Sequence, residues 1–416
     1  TLGQERVILP TGTWFRVDRP ELADLRRLVE EARAMQDDPH GPLRLSAYQA
    51  DLWSELEALG IVEEQSERWA TLVKGLSAES VEPLPTPSGV QATLRPYQQD
   101  GFSWLTFLRR HGLGGILADD MGLGKTMQAL AMIVQARQDA ADDAPWLVVA
   151  PASVLAVWAG EAERFAPGLN VAVASSTNRR GAGVGQVPEN VDLVVTSYAV
   201  FRLDEQAFAE RAWSGLILDE AQAVKNHQSA TYQCARRLSA GIKFAITGTP
   251  MENNLMELWA LLSIVAPGLF PHPKAFTEHF RRPIESGSAP ERLDTLRRRI
   301  RPVMLRRTKG EVARDLPAKQ EQTVRVELPS RHRRVCDRGL ARQRQRVLGL
   351  LEDAARNRIA IFRALTVLRQ LSLHPGLVEP EHRGQSCAKI DTLIELVSPV
   401  IAEGHKVLVF SQFTSF

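Results

Sequence analysis

Cysteine is scarce in this chain: three thiols, Cys234, Cys336 and Cys387, lie far apart in 416 residues. None has a partner at metal-ligand spacing, which excludes a disulfide framework and a zinc site of the usual kind, and fits a reducing compartment. The histidines His227, His374 and His405 likewise show no metal spacing. No apolar run is long enough to cross a membrane as a helix, and no leader-like segment opens the chain. Internal repeats are missing, and aromatics make up only 6%. What remains is an ordinary globular composition, 44% hydrophobic and 24% charged, at a length that suggests two to three domains.

Net charge is also nearly absent, at +2, but its distribution is uneven. Residues 276–376 carry 24 Lys and Arg against 11 Asp and Glu, while residues 1–90 carry 9 against 16. A basic block inside a balanced protein suggests a surface for a polyanion. The alternative is a set of solvated helical faces laced with ion pairs, and charge alone does not separate the two.

Two motifs carry chemistry. The first is Gly115-Ile-Leu-Ala-Asp-Asp-Met-Gly-Leu-Gly-Lys-Thr126, a buried strand, a glycine loop and a helix start. Such a loop turns backbone N–H groups toward phosphate, and the helix N-terminus adds partial positive charge. Asp119, Asp120, Met121, Gly122, Leu123 and Gly124 would form the cradle. Lys125 would reach the β- and γ-phosphates, and the Thr126 hydroxyl would ligate Mg²⁺. The strict pattern has glycine where this chain has Asp119. Ninety residues on, Leu216-Ile-Leu-Asp-Glu-Ala-Gln222 is an apolar strand ending in adjacent carboxylates. Asp219 would hold Mg²⁺, and Glu220 would orient and deprotonate an attacking water. Together the motifs predict a nucleoside triphosphatase that uses Mg²⁺.

Between and around them, short continuous apolar runs alternate with amphipathic ones. Strands are expected at Gly115–Ala118, Trp146–Ala150, Val191–Thr196, Leu216–Leu218 and Lys243–Ile246. Helices are expected at Lys125–Gln138, Trp158–Phe165, Ser229–Leu238 and Leu255–Val265. This is an α/β pattern with a parallel sheet covered on both faces, and its ligand should lie beyond the carboxyl ends of the strands. Residues 1–82 read as an acidic, mainly helical accessory domain, with Leu22, Leu25, Leu28, Val29 and Ala32, then Leu52, Leu56 and Leu59, at helical spacing before a stop at Gly60. Trp53 and Trp69 read as core anchors. Residues 83–90 are a Pro-rich linker, 91–270 a first α/β lobe, 271–375 Arg-rich helical insertions and a bridge, and 376–416 the start of a second lobe whose first strand is Lys406–Phe413. The chain begins with Thr and is expected to be a piece of a longer polypeptide.

In this order the motifs resemble the Swi/Snf-type branch of the helicase-like, DNA-translocating ATPases, collinearly from Leu94 onward. Leu94-Arg-Pro-Tyr-Gln98 resembles the family's adenine-reading segment, with Gln98 on the base. Val148–Trp158 and Val194–Tyr198 resemble segments that lie along DNA. Leu216–Asn226 is similar to the family's acidic motif in its Asp-Glu-Ala-Gln form. Ala245–Trp259 resembles the segment coupling nucleotide state to DNA, Met304–Lys319 the bridge between lobes, and Leu368–Pro375 and Gly404–Gln412 the start of the second lobe.

The resemblance implies a RecA-like ATPase lobe, DNA contacts mainly to phosphates through Ser153, Thr196, Ser411 and Gln412, and coupling through Gln222, Thr247, Gly248 and Thr249. It implies movement along double-stranded DNA without necessary strand separation, and a stimulated turnover that depends on arginines from the end of the second lobe, so that the present chain alone is expected to bind ATP but hydrolyse it poorly. A bacterial, cytoplasmic, nucleoid-associated protein with a transcription or repair partner is the corresponding expectation. Three alternatives stay open: a strand-separating helicase, a scaffold using ATP only as a structural ligand, and a nuclease subunit. Neither the client nor the oligomeric state is legible.

Overall fold

The computed structural model describes residues 6–8, 14–16, 23–34, 46–58, 67–77, 81–139, 144–251, 254–270, 272–312, 320–348 and 357–416. Among the expectations above, Leu22, Leu59, Gly60 and the stretches 252–253 and 313–319 of the coupling and bridge segments lie outside the described residues. The chain divides into two compact units, Thr1–Leu316 and Pro317–Phe416.

The first unit is built on a seven-stranded sheet. A small antiparallel pair precedes it, β1 (Arg6–Ile8) with β2 (Trp14–Arg16). The sheet strands are β3 (Gly115–Leu117), β4 (Trp146–Ala150), β5 (Val171–Ala174), β6 (Leu193–Ser197), β7 (Gly215–Asp219), β8 (Lys243–Ile246) and β9 (Met304–Leu305). Their spatial order is β5-β6-β4-β7-β8-β3-β9, and every pairing is parallel. Strand periodicity divides the side chains between two cores. Ile116, Leu147, Val149, Leu216, Leu218 and Ala245 go to one face. Leu117, Val148, Ala150, Ile217, Phe244 and Ile246 go to the other. Burial on both faces is why these strands read as continuous apolar runs rather than alternating ones.

The expected helices Lys125–Gln138 and Leu255–Val265 form with those bounds, and the expected Trp158–Phe165 helix begins earlier, at Leu155. β1 and β2 were not expected in the region read as mainly helical, and within the sheet two further strands were not expected. β5 is an edge strand with three of its four side chains only partly buried or exposed, so it lacks the apolar signal. β9 is two residues long and lies inside the Arg-rich bridge; its neighbour β3 defines it more than its own sequence does.

The N-terminal helices share these cores. Leu28, Ala32 and Leu52 join one, and Leu72, Val73 and Leu76 the other. Trp53 and Trp69 meet edge to face at 5.7 Å. The Pro-rich segment expected as a linker lies along the Pro96–Arg110 helix: the Leu84 N–H donates to Ser103 Oγ (2.9 Å) and the Thr86 hydroxyl to Gln99 Oε1 (2.9 Å).

In the second unit, the helices Ser330–Leu348 and Arg358–Leu373 pack through Val335, Ala364 and Leu371, and Ala388–Ala402 follows. The expected strand Lys406–Phe413 does not form. Leu408, Val409 and Phe410 are 83%, 61% and 89% exposed, and among the described residues no strand pairs with them. A strand's backbone groups need a neighbour, so apolar composition alone does not make one.

Candidate active site

β7, β8 and β3 lie side by side, so the acidic motif, the Gly-Thr-Pro turn and the glycine loop emerge together at the carboxyl edge of the sheet. Gly122 (φ 82°) and Gly124 (φ 73°) adopt left-handed backbone that β-carbon-bearing residues disfavour. At Gly124 a β-carbon would in addition stand 2.4 Å from Gln98 Nε2, so that side chain would have to move. The loop then delivers the N-terminus of the Lys125–Gln138 helix, with Thr126 half-buried in its first turn.

Lys125 Nζ donates to the carbonyls of Asp119 (2.7 Å) and Asp120 (3.2 Å), which curls the loop around the ammonium group. Burial pulls the Lys125 pKa down, while Glu220, Asp119 and Asp219 act in the opposite sense. Asp219, at the end of β7, is held on three sides. Trp158 Nε1 donates to Oδ2 (2.7 Å), the Glu220 N–H donates to Oδ1 (2.9 Å), and the Tyr198 hydroxyl donates to its carbonyl (2.8 Å). Burial raises the Asp219 pKa, and the Trp158 bond works against that rise.

Glu220 is the one non-glycine residue with positive φ (46°) among the described residues. Such strain costs roughly 1–3 kcal/mol and persists where the surroundings enforce it. Here it turns the carboxylate away from β7 toward Gln222, whose Nε2 donates to Glu220 Oε2 (3.0 Å). A relay continues from there. The Thr247 hydroxyl donates to Gln222 Oε1 (3.2 Å), and the Thr249 N–H donates to Thr247 Oγ1 (3.1 Å). Gly248 keeps this turn against the loop, since a β-carbon would stand 2.9 Å from Met121 Cγ. The structure therefore brings Gln222, Thr247, Gly248 and Thr249 together with Glu220.

Several expected roles change on inspection. The Asp119 carboxylate is fully buried and committed to Arg307, which donates from Nε (3.0 Å), Nη2 (2.5 Å) and its backbone N–H (3.1 Å). Only the Asp119 backbone is thus available to the phosphate cradle. Asp120 is tied to the same bridge: its N–H donates to the Arg307 carbonyl (3.0 Å), and its Oδ2 accepts from the Lys309 N–H (3.0 Å). Gln98 caps its own helix through the Arg95 N–H (2.9 Å) and donates to the Leu123 carbonyl (3.2 Å), placing it against the loop. Leu123 itself is buried beside Tyr97.

Thr196 is a correction. Its side chain is fully buried, and its hydroxyl donates to the Ala174 carbonyl (2.8 Å), so it closes β6 against β5 and faces no ligand. Ser153 is exposed on the turn after β4. Ser411 and Gln412 lie in the second unit on exposed irregular backbone, where Ser411 Oγ bonds the Phe413 carbonyl (3.0 Å).

Trp158, Tyr198 and Arg307 were missed as site residues. Signals existed: a buried indole N–H needs an acceptor, and an acid standing where a loop wants glycine asks for a cation.

A profile of the SNF2-related domain matches residues 97–377. The chain belongs to this family. YwqA of Bacillus subtilis, which carries an ATP-dependent helicase/translocase name, is 32% identical over 98% of this chain, and the chain spans 46% of its length. The TATA-binding protein-associated factor MOT1 of Saccharomyces cerevisiae is 33% identical over 74% of the chain, which covers 18% of MOT1. Among solved structures, the Sulfolobus solfataricus SWI2/SNF2 ATPase core in complex with dsDNA is similar at TM-score 0.53 and 32% identity, covering 80% of this chain and 70% of that one. The parallel sheet is thus the RecA-like fold of that ATPase core.

Proposed function

We propose that this chain is the ATP-hydrolysing part of a motor that moves along double-stranded DNA and displaces or remodels what is bound there. The observation that carries the reading is the relay Glu220–Gln222–Thr247–Thr249, which joins a strained acid to a turn on the next strand. A scaffold that merely held nucleotide would have no use for it.

The donor set fits Mg-ATP. A glycine loop with Lys125 curled inside it offers backbone N–H groups and one cation to phosphate oxygens. Asp219 and the Thr126 hydroxyl are hard oxygen donors suited to Mg²⁺. Asp219 and Thr126 would hold Mg²⁺, which would neutralise phosphate charge there. Asp219 is kept in position by Trp158, Tyr198 and the Glu220 N–H. Glu220 accepts a proton from water and orients it, with Gln222 fixing the carboxylate. Lys125 exchanges its two carbonyl partners for phosphate oxygens. Thr247 and Thr249 then report the state of Glu220 to the turn beside Met121. Ser153 and backbone N–H groups at the carboxyl edge contact DNA phosphates, as a sequence-tolerant motor requires.

The test is ATP turnover with and without duplex DNA, paired with displacement of a triplex-forming strand and unwinding of a forked duplex. DNA-stimulated turnover with triplex displacement and an intact fork is the expected result for the chain extended through the rest of the second lobe, whereas the present chain alone should bind ATP and turn it over slowly. Fork unwinding would favour a strand-separating helicase instead. Turnover indifferent to duplex DNA would remove the motor reading.

A further inference from the structure

The Arg-rich block contains two kinds of helix. In Glu291–Ile300 three of the four arginines pair with acids, Arg297 with Asp294, Arg298 with Glu55, and the buried Arg299 with Glu31, Asp51 and Glu55, while Arg292 bonds His279. That helix fits the ion-paired alternative raised by the sequence. The Ser330–Leu348 helix does not. It carries seven arginines against the single acid Asp337, all seven are exposed, and none forms an ion pair with a described residue. Only Arg334 has a protein partner among the described residues, its Nε donating to the Ser330 carbonyl (3.3 Å).

Five of these arginines form a stripe. Arg331, Arg334, Arg338, Arg342 and Arg346 follow one another at intervals of three or four residues, which places them along one side of the helix. Neighbours are about 6 Å apart along the axis, and the stripe is about 22 Å long. The helix's inner side is spoken for. His332 and Val335 are buried, His332 Nε2 meets the Leu371 carbonyl at 2.7 Å, and a β-carbon on Gly339 would strike Leu371 Cδ1. The stripe runs along a flank of that packed side, and Arg342 and Arg346, seven residues after Val335 and Gly339, are nevertheless exposed.

Seven guanidinium groups with no acidic partner among the described residues repel one another, so this helix is less stable alone than it would be with acids interspersed. A face kept in that condition suits a partner with regularly spaced negative charge. Duplex DNA presents about one phosphate per 1.7 Å of axis, so 22 Å offers roughly 13 charges for the five arginines. The helix has no Phe, Tyr or Trp, and hence no platform for stacking unpaired bases, which argues against a single strand.

We propose that this arginine stripe is a phosphate-tracking surface for duplex DNA. The proposal rests on the DNA-motor reading above and extends it to residues which that reading does not use. Contacts of this kind are to the backbone and carry no sequence preference.

The experiment measures binding of a fluorescently labelled duplex by this chain across a salt series. The variants are Arg334→Gln/Arg338→Gln/Arg342→Gln and the charge-preserving Arg334→Lys/Arg338→Lys/Arg342→Lys, with Arg237→Gln as a control at an exposed arginine already paired with Glu205. Removing three phosphate contacts should make the slope of log affinity against log salt shallower by about 2–3 and weaken binding at least tenfold near 0.1 M salt. The lysine triple and the control should keep the parental slope. If the glutamine triple binds with the parental slope and affinity, the stripe serves something else, such as an acidic protein segment, and the proposal falls while the motor reading stands. If the lysine triple loses binding as fully as the glutamine triple, the stripe is not a phosphate surface. If the parent itself ignores duplex DNA, the motor reading fails and the stripe proposal fails with it.

Discussion

Replacing Arg307 with alanine should destabilise the first unit by about 3–5 kcal/mol, the cost of breaking a buried ion pair from one side. The magnitude follows from what Arg307 touches. Two guanidinium N–H groups serve Asp119, Nη2 also reaches Gln128 Oε1 (2.9 Å), and Nη1 donates to the Tyr97 carbonyl. Without them the fully buried Asp119 keeps only the backbone N–H of residue 307 and a long bond from Gln128 Nε2 (3.4 Å). Asp119→Ala alone leaves the guanidinium 12% exposed and without its carboxylate, so it too should be costly. The double variant has no stranded charge and should cost less than the sum of the singles by about 2–3 kcal/mol. Urea unfolding followed by tryptophan fluorescence reads the right part of the molecule, because all eight tryptophans lie before residue 317. An Arg307→Ala cost below about 1 kcal/mol, or strictly additive singles, would refute the argument that Asp119 is tolerated in the glycine loop because Arg307 neutralises it.

Other expectations are more direct. Glu220→Gln should lower turnover by about 10²–10⁴-fold while ATP affinity is retained, since only proton acceptance is removed; a loss of affinity instead would assign Glu220 to nucleotide binding. Trp158→Phe keeps the aromatic bulk but deletes the donor to Asp219, so Mg²⁺-dependent strengthening of nucleotide binding should shrink while binding in EDTA is unchanged; equal losses in both conditions would make Trp158 a packing residue only. Burial, aided by Glu205, pushes the Cys234 thiol up to about 11. The folded state therefore holds that proton longer than the unfolded one, and stability should fall as pH rises from about 9 to about 11. Cys234→Ala should flatten this loss, and an unchanged pH profile would count against the shift.

Much of the site was legible because its chemistry is local. Asp219 ends β7 and Glu220 follows it, while Lys125 and Thr126 open the helix that the glycine loop joins to β3, and continuous apolar runs mark both strands in the sequence. The relay partners Thr247 and Thr249 were legible through the resemblance, and the order of β7, β8 and β3 brings them beside Gln222. What the sequence hid depends on contacts across long separations. Arg307 reaches Asp119 from 188 positions away, and Trp158 reaches Asp219 from 61. Thr196 misled for a related reason. A threonine at a strand end looks ready for a ligand until a neighbouring strand, β5, supplies the carbonyl that takes its hydroxyl. Lys406–Phe413 misled in the opposite direction, being apolar enough for a strand but without a strand beside it.

The bridge and the glycine loop form one hydrogen-bonded body. The Ala118 N–H donates to the Leu305 carbonyl (2.7 Å), the Asp120 N–H to the Arg307 carbonyl (3.0 Å), and the Lys309 N–H returns to Asp120 Oδ2 (3.0 Å). β9 thereby extends the ladder past the end of β3 and along the loop itself. Two successive loop residues have their N–H or carboxylate groups satisfied by residues 305–309 rather than by the loop. A displacement of that segment must carry the phosphate cradle with it or leave the buried Asp119 unpaired, and the second outcome is the costly one. Asp119 in place of glycine thus trades backbone freedom for a fixed attachment, and the attachment joins the nucleotide loop to the stretch of chain that leads out of the first unit.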